Sequence, residues 1–296
     1  KFAADAGIKA TGIEPTASTA QAARDKGLTI VERFLGSDSA VDICEEFGPA
    51  DVVAANNVLA HVPDINAFVA GVRTLLRDTG VATFEFPHLV NLVADKQFDT
   101  IYHEHFSYLS LTSVVKILAS GGLQVFDVEK LPTHGGSLRV FAQREKTGPN
   151  EVAETVAAVL ADEDARGLQT PAYYEAFQRS AEDVKNAALR FLIDASDRGD
   201  LVVAYGAAAK GNTLLNFAGV RPDLIRFVAD LNPAKQGKAM PGSRIPIVGP
   251  EVLEEAAPNY VVILPWNLRT EVSNQLAELR SAGTKIVTFV PALEVS

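Results

Sequence analysis

Apolar runs of strand length alternate with amphipathic stretches of helix length along much of the chain. Residues 8–13 read as a buried strand, 16–26 as a helix, 29–32 as a strand and 39–46 as a helix. Residues 51–55 follow as a strand, 65–76 as a helix with apolar side chains spaced by three and four, and 80–86 as a strand. This alternation predicts a parallel sheet with helices on both faces and right-handed crossovers. The pattern changes after His88. Residues 91–122 are helical or irregular and carry an aromatic, His-rich stretch, and 123–128 and 137–143 read as an antiparallel pair of strands. Residues 150–198 are mostly helix with a break at Pro171.

From Asp200 the alternation resumes. LVVAYGAAAKGNTLLNFAG reads as strand, Gly turn and helix, LIRFVADLNPAKQG as strand and loop, and PIVGPEVL as a helix start. NYVVILPWN reads as a strand, TEVSNQLAELRSAG as a helix and TKIVTFVP as a last strand. The expected fold is α/β: two Rossmann-like doubly wound units joined by a helical segment, with boundaries at 1–149, 150–198 and 199–296. The opening KFAADAG reads as the end of a helix stopped by Gly7, so sequence ahead of Lys1 is expected.

Composition narrows the function. A chain of 296 residues, 47% hydrophobic, can form two cores. No apolar run reaches the roughly 18 residues of a membrane span, and the first residues do not read as a signal peptide. The net charge is -10 and no basic stripe appears, which argues against nucleic acid as a partner. A local pocket for a small anion remains compatible with it. The single cysteine, Cys44, excludes a disulfide framework or a multi-Cys zinc site within the chain and fits a cytoplasmic setting.

Several positions could carry chemistry. Glu14 ends the first strand, where open parallel sheets place ligand-binding groups, and could accept hydrogen bonds from ribose hydroxyls; it could equally be a charge at a helix start. Asn56, Asn57 and His61 follow the strand ending at Ala55, as site residues or as turn formers. The local signal that weighs most is FEFPHLVNLVADKQFDTIYHEHFSYLS. All five histidines, His61, His88, His103, His105 and His134, fall in one half of the chain. Tyr102, His103, Glu104 and His105 set four proton-handling groups side by side. Acid/base work is favoured over metal, because His titrates near neutral pH and His-x-His without Cys or a helical HExxH is a poor metal frame. In PTHGGSLRVF, Gly135, Gly136 and Ser137 offer backbone N–H groups and Arg139 an anion partner, or they form a turn with a surface Arg. In YGAAAKGNTLLN, Gly206, Lys210, Gly211 and Asn212 could hold a phosphate at a helix start, or simply turn the chain. The spacing is neither a Walker loop nor GxGxxG. Asp230 and Asn232, then Trp266 and Asn267, end later strands at the same edge.

Taken in order, GIEP, NNVLAHVPD, EFPH, IYHEHFSYLS, HGGSLRVF and AYGAAAKGNTLLNF resemble the S-adenosylmethionine-dependent sugar C-methyltransferases, which act on nucleotide-linked keto-deoxysugars. The resemblance covers essentially the whole chain. It implies an S-adenosylmethionine-binding class I methyltransferase domain, incomplete because its first strand and Gly-rich turn are expected ahead of Lys1, and a C-terminal Rossmann-like domain for the nucleotide sugar. The Cys-rich zinc module usual at the start of the family is not in this sequence. By matching motif, Glu14 would hold the cofactor ribose, with Asn56, Asn57 and His61 on the cofactor side. Tyr102, Glu104 and His105 would line the reacting sugar, His105 as base. His88, His103, His134, Gly135, Ser137, Arg139, Gly206, Lys210, Gly211, Asn212, Asp230 and Asn232 would serve the substrate. The implied partner is a thymidine-diphosphate sugar in deoxysugar biosynthesis, with no metal, no nucleic acid and no membrane. The implied reaction is methylation at C3 beside a C4 ketone. Two alternatives are a non-catalytic nucleotide-sugar-binding relative and, ranked low for want of GxGxxG, an NAD-dependent sugar oxidoreductase.

Overall fold

A computed structural model describes residues 2–296. The elements in order are α1 (Phe2–Asp5), β1 (Thr11–Ile13), α2 (Ala17–Arg24), β2 (Thr29–Val31), α3 (Ser37–Phe47), β3 (Ala50–Asn56), α4 (Ile65–Leu75), β4 (Leu76–Pro87), α5 (Leu89–Ala94), α6 (Leu111–Ser120), β5 (Leu123–Leu131), β6 (Ser137–Arg144), α7 (Glu154–Ala165) and α8 (Phe177–Asp197). There follow β7 (Val202–Tyr205), α9 (Ala209–Ala218), β8 (Val228–Ala229), β9 (Ile247–Val248), α10 (Glu251–Ala256), β10 (Tyr260–Ile263), α11 (Arg269–Gln275), α12 (Ala277–Ser281), β11 (Lys285–Thr288) and β12 (Glu294–Val295). The α/β class expected from the alternation is what forms.

The chain divides into two units. The first takes the chain up to Phe86, Phe106–Leu131 and Leu138–Glu163; the second takes Pro87–His105, Pro132–Ser137 and Asp164–Ser296. This differs from linear cuts after residues 149 and 198. Val156 and Val159 of α7 belong to the first core, whereas Phe98 belongs to the second. Periodicity detects elements, but which core captures a segment is decided by the side chains it buries.

In the first unit, β1 and β2 form a two-stranded parallel sheet, and β3, β4, β6 and β5 form a second sheet in that order. β3 and β4 are parallel. Phe84, Phe86, Leu111, Leu118 and Leu138 are fully buried between this sheet and the helices over it. A smaller cluster around Ala40, Ile43 and Leu75 gathers Ile13, Val31 and Val53, so α3 and α4 serve both sheets. α6 begins at a capping box between Ser110 and Ser113. Its first N–H groups are also held by Glu163 of α7, whose carboxylate accepts from Leu111 N at 2.7 Å and Thr112 N at 2.8 Å.

The second unit is a six-stranded sheet ordered β12-β11-β10-β7-β8-β9. β7, β8, β9, β10 and β11 are parallel and β12 runs antiparallel to β11. From β7 the chain builds β8 and β9 to one side, then crosses back to place β10 on the other. β9 and β12 were not expected from sequence, being two residues each, and the helix expected over TEVSNQLAELRSAG breaks into α11 and α12 at Leu276.

Candidate functional site

In the first unit, the sequence-predicted cofactor residues sit after the carboxyl ends of their strands. Glu14 follows β1, and its Oε1 accepts the N–H of Thr16 at 2.8 Å at the start of α2. A carboxylate has acceptor capacity beyond one N–H, so helix start and ligand group are compatible in one side chain. Asn56 ends β3. Asn57 adopts a left-handed φ of 54° and donates its N–H to Glu85 O at 2.7 Å, turning the chain sharply there. His61 closes the helical turn Leu59–His61. The backbone N–H of Phe106 donates to Ala60 O at 2.9 Å.

In the second unit, the reversal of strand order lies between β7 and β10, where open α/β sheets form their crevice. Gly206 leaves β7 at φ 86°, and a Cβ there would stand 2.6 Å from Pro265 after β10. The two strand ends therefore approach closely only because position 206 has no side chain. Lys210, in the first turn of α9, reaches across: its Nζ donates to Asn267 Oδ1 at 3.1 Å and lies 4.7 Å from the Trp266 ring centroid. The same Nζ is 3.4 Å from the His134 carbonyl. Burial holds the Lys210 ammonium below the usual lysine range, with Asp99 opposing the shift. The turn at His134, Gly135 and Gly136 has three successive positive φ values of 56°, 89° and 106°. A Cβ on Gly135 would come within 2.5 Å of the Trp266 ring.

The His-rich segment has a buried root and an exposed tip. Gln97, Phe98, Asp99 and Thr100 are all buried. Phe98 enters the second core with its ring 5.3 Å from that of Phe217. Gln97 donates to Gly135 O at 2.7 Å, and Trp266 Nε1 donates to Asp99 Oδ2 at 2.8 Å. Beyond this root, His103 and Glu104 are exposed and Tyr102 and His105 half-buried. The Tyr102 and His105 rings stack at 4.5 Å with 29° between planes. His105 Nδ1 is 2.7 Å from Thr100 O. A carbonyl only accepts, so Nδ1 carries the hydrogen and Nε2 of the neutral ring carries the lone pair.

The other predicted residues divide. Arg139, on β6 of the first unit, pairs with Glu85 at 2.9 Å and Glu129 at 3.4 Å. Asp230 ties its own unit together, accepting from Asn232 N at 2.8 Å, Ala207 N at 2.7 Å and Lys235 Nζ at 3.2 Å. Burial raises its pKa, but these donors outweigh that and hold it below the usual carboxylate range. The Asn232 side chain accepts from Ala234 N. Gly211 is buried against Leu264, where a Cβ would meet the leucine at 2.6 Å. Asn212, next along α9, has its Oδ1 buried. Ser137 is buried and donates to Thr133 O, and His88 is buried at the start of α5 with its N–H on Gly136 O.

Sequence reasoning passed over Asp99, Gln97 and Thr100. The available signal was a carboxylate and an amide in an otherwise apolar stretch directly ahead of the histidines, but its partner Trp266 is 167 residues away.

The class so defined is an α/β protein with a Rossmann-like sheet, a lysine reaching across the reversal of its strand order and a Tyr/His/Glu segment rooted in buried residues. Comparison with known proteins makes this specific. Residues 132–291 match the C-methyltransferase C-terminal domain family and residues 1–128 a methyltransferase domain family. C-methyltransferase NovU of Streptomyces niveus is 36% identical over 286 residues, 97% of this chain and 68% of that protein. Among solved structures, an S-adenosylmethionine-dependent methyltransferase of Thermotoga maritima is 15% identical over 48% of this chain and 76% of its own, with a TM-score of 0.38. A putative one from Listeria monocytogenes is 16% identical over 49% of this chain and 84% of its own, with a TM-score of 0.37. The chain belongs to the C-methyltransferase family. It is a methyltransferase whose cofactor is S-adenosylmethionine.

Proposed function

We propose that the chain methylates C3 of a nucleotide-linked 4-keto-deoxysugar, with a thymidine-diphosphate sugar as the substrate form. The observation that carries this reading is His105, its Nδ1–H fixed on the Thr100 carbonyl and its ring stacked on Tyr102. Carbon becomes a nucleophile when a neighbouring ketone acidifies its proton. His105 Nε2 takes the C3 proton, and the electron pair moves into an enolate with its charge on the C4 oxygen. Tyr102 or Glu104 orients the base, and the Tyr102 hydroxyl can donate to that oxygen. S-adenosylmethionine, when bound, supplies an electrophilic methyl group. Glu14 would hold its ribose, with Asn56, Asn57 and His61 beside it. In the second unit, Lys210 and the N–H groups at the start of α9 suit a diphosphate.

General-base catalysis contributes about 10²–10⁴-fold. His105→Asn is therefore expected to lower kcat by about that factor while leaving nucleotide-sugar affinity in place. A loss below about tenfold would remove His105 from the role of base. Calorimetric titration of thymidine-diphosphate sugar tests the substrate class separately: no heat above that of a free sugar excludes the nucleotide-linked form.

A further inference from the structure

We infer that Asp99 and Trp266 form a positioning pair that holds the Thr100 carbonyl against His105 and thereby fixes the imidazole hydrogen on Nδ1. The inference rests on the reading of His105 as the base. The turn Phe98–Thr100 is anchored through its side chains: Phe98 in the apolar core, Asp99 on the indole N–H of Trp266 at 2.8 Å, and Thr100 Oγ1 on Gln97 O at 2.7 Å. The Thr100 carbonyl emerging from it takes two donors, the Tyr102 N–H at 3.2 Å and the His105 Nδ1–H at 2.7 Å. Both bonds depend on where that carbonyl sits.

Asp99 is an expensive choice for a purely structural anchor. It is 0% exposed, it takes one indole N–H, and its Oδ1 has no hydrogen-bond partner. Burying a carboxyl group with so few donors is unfavourable, and an apolar side chain of similar size would pack without that penalty. A directional bond to a fixed indole orients the turn in a way an apolar contact does not. Trp266 is itself fixed, flanked by the Gly135 turn and by the Lys210 ammonium at 4.7 Å from its ring centroid. The Lys210 charge also opposes the burial that pushes the Asp99 carboxyl above its ordinary range.

The test uses Trp266→Phe, which removes the donor and keeps a ring, with Asp99→Leu as a second route to the same loss and Asp99→Asn as the conservative rescue. Long-range proton–nitrogen spectra of the ¹⁵N-labelled protein report the His105 tautomer without turnover. Trp266→Phe and Asp99→Leu should each move His105 from the Nδ1–H towards the Nε2–H tautomer. In both, kcat should fall about 10–100-fold, the scale expected for a misplaced catalytic group, with KM within about threefold. Asp99→Asn, whose amide oxygen still accepts from the indole, should keep the Nδ1–H tautomer and lose much less kcat. Folded Trp266→Phe or Asp99→Leu protein with an unchanged His105 tautomer overturns the pair, whatever its turnover. If His105→Asn retains turnover, the base reading fails alone, and the tautomer spectra still decide the positioning pair.

Discussion

The two units build their sheets under different constraints. In the second, β7 is buried at all four positions, and β10 and β11 at three of four each. In the first, β1 has no buried residue, and β3 has one buried position of seven, with Val52 63% exposed. Among the described residues, β1 pairs with β2 and β3 with β4. Parallel strands are normally covered on both faces. The second unit meets that requirement from its own residues, while the described part of the first draws its stability from the helices and from β4 and β6. The buried carboxylates differ too. Glu163 in the first unit accepts from Leu111 N, Thr112 N and Thr112 Oγ1. Asp99 in the second takes one indole N–H. The first is a stabilising cap, and the second is a burial tolerated for orientation.

The comparison breaks most easily at the centre of the second sheet. Val262 is 0% exposed on β10, between β7 and β11. Val262→Asp would bury a charge with no partner, and the expected loss is more than about 4 kcal/mol. Chemical denaturation followed by circular dichroism should show the unit unfolded or nearly so; a loss under about 2 kcal/mol would mean the strand is not the closed centre described. Next in size is Glu163→Ala, which strips the cap from α6 and leaves one buried and one partly buried N–H group to find water. About 2–3 kcal/mol is expected, and a change below about 0.5 kcal/mol would reduce Glu163 to a bystander.

How much of this was legible beforehand follows from the range of each interaction. Strand ends at Glu14, Ala55 and Gly206 could be read to within a residue because strand and turn signals are local. The candidate residues following them were named from the same signals. The Asp99–Trp266 and Gln97–Gly135 bonds could not, since they join segments 167 and 38 residues apart. The pairing of Arg139 with Glu85 and Glu129 depends on β6 lying between β4 and β5, an order no periodicity encodes. The short strands β9 and β12, two residues each, owe their existence to neighbours already in place, not to propensity.

The contrast between the carboxylates sharpens with pH. Burial, opposed by the Trp266 bond and by Lys210, raises the Asp99 pKa above its ordinary value. A group whose pKa is raised on folding binds its proton more tightly in the folded state. Its stabilising contribution is complete below the ordinary carboxylate value and is lost as pH climbs through the folded one. Asp99→Asn does not titrate. The stability of that variant relative to the parent should therefore rise from about pH 4 upward, at no more than about 1.4 kcal/mol per pH unit, and then level off. Paired urea titrations across that range check it; a difference that is flat or falls with pH contradicts a buried, weakly solvated Asp99.

The smallest effect is the counterpart of the first, the same chemistry moved to the exposed strand. Val52 sits on β3 with 63% of its surface exposed and Asp51 and Ala54 exposed around it. A charged side chain at an exposed position stays hydrated, so it avoids the desolvation cost of a buried one. Val52→Asp should cost less than about 1 kcal/mol, the span of strand propensity, against more than about 4 kcal/mol at Val262. Because both changes replace valine by aspartate in a parallel strand, the difference between them isolates burial from propensity. If Val52→Asp instead costs as much as Val262→Asp in the same denaturation experiment, β3 is covered in solution, and the two sheets are closed to the same degree.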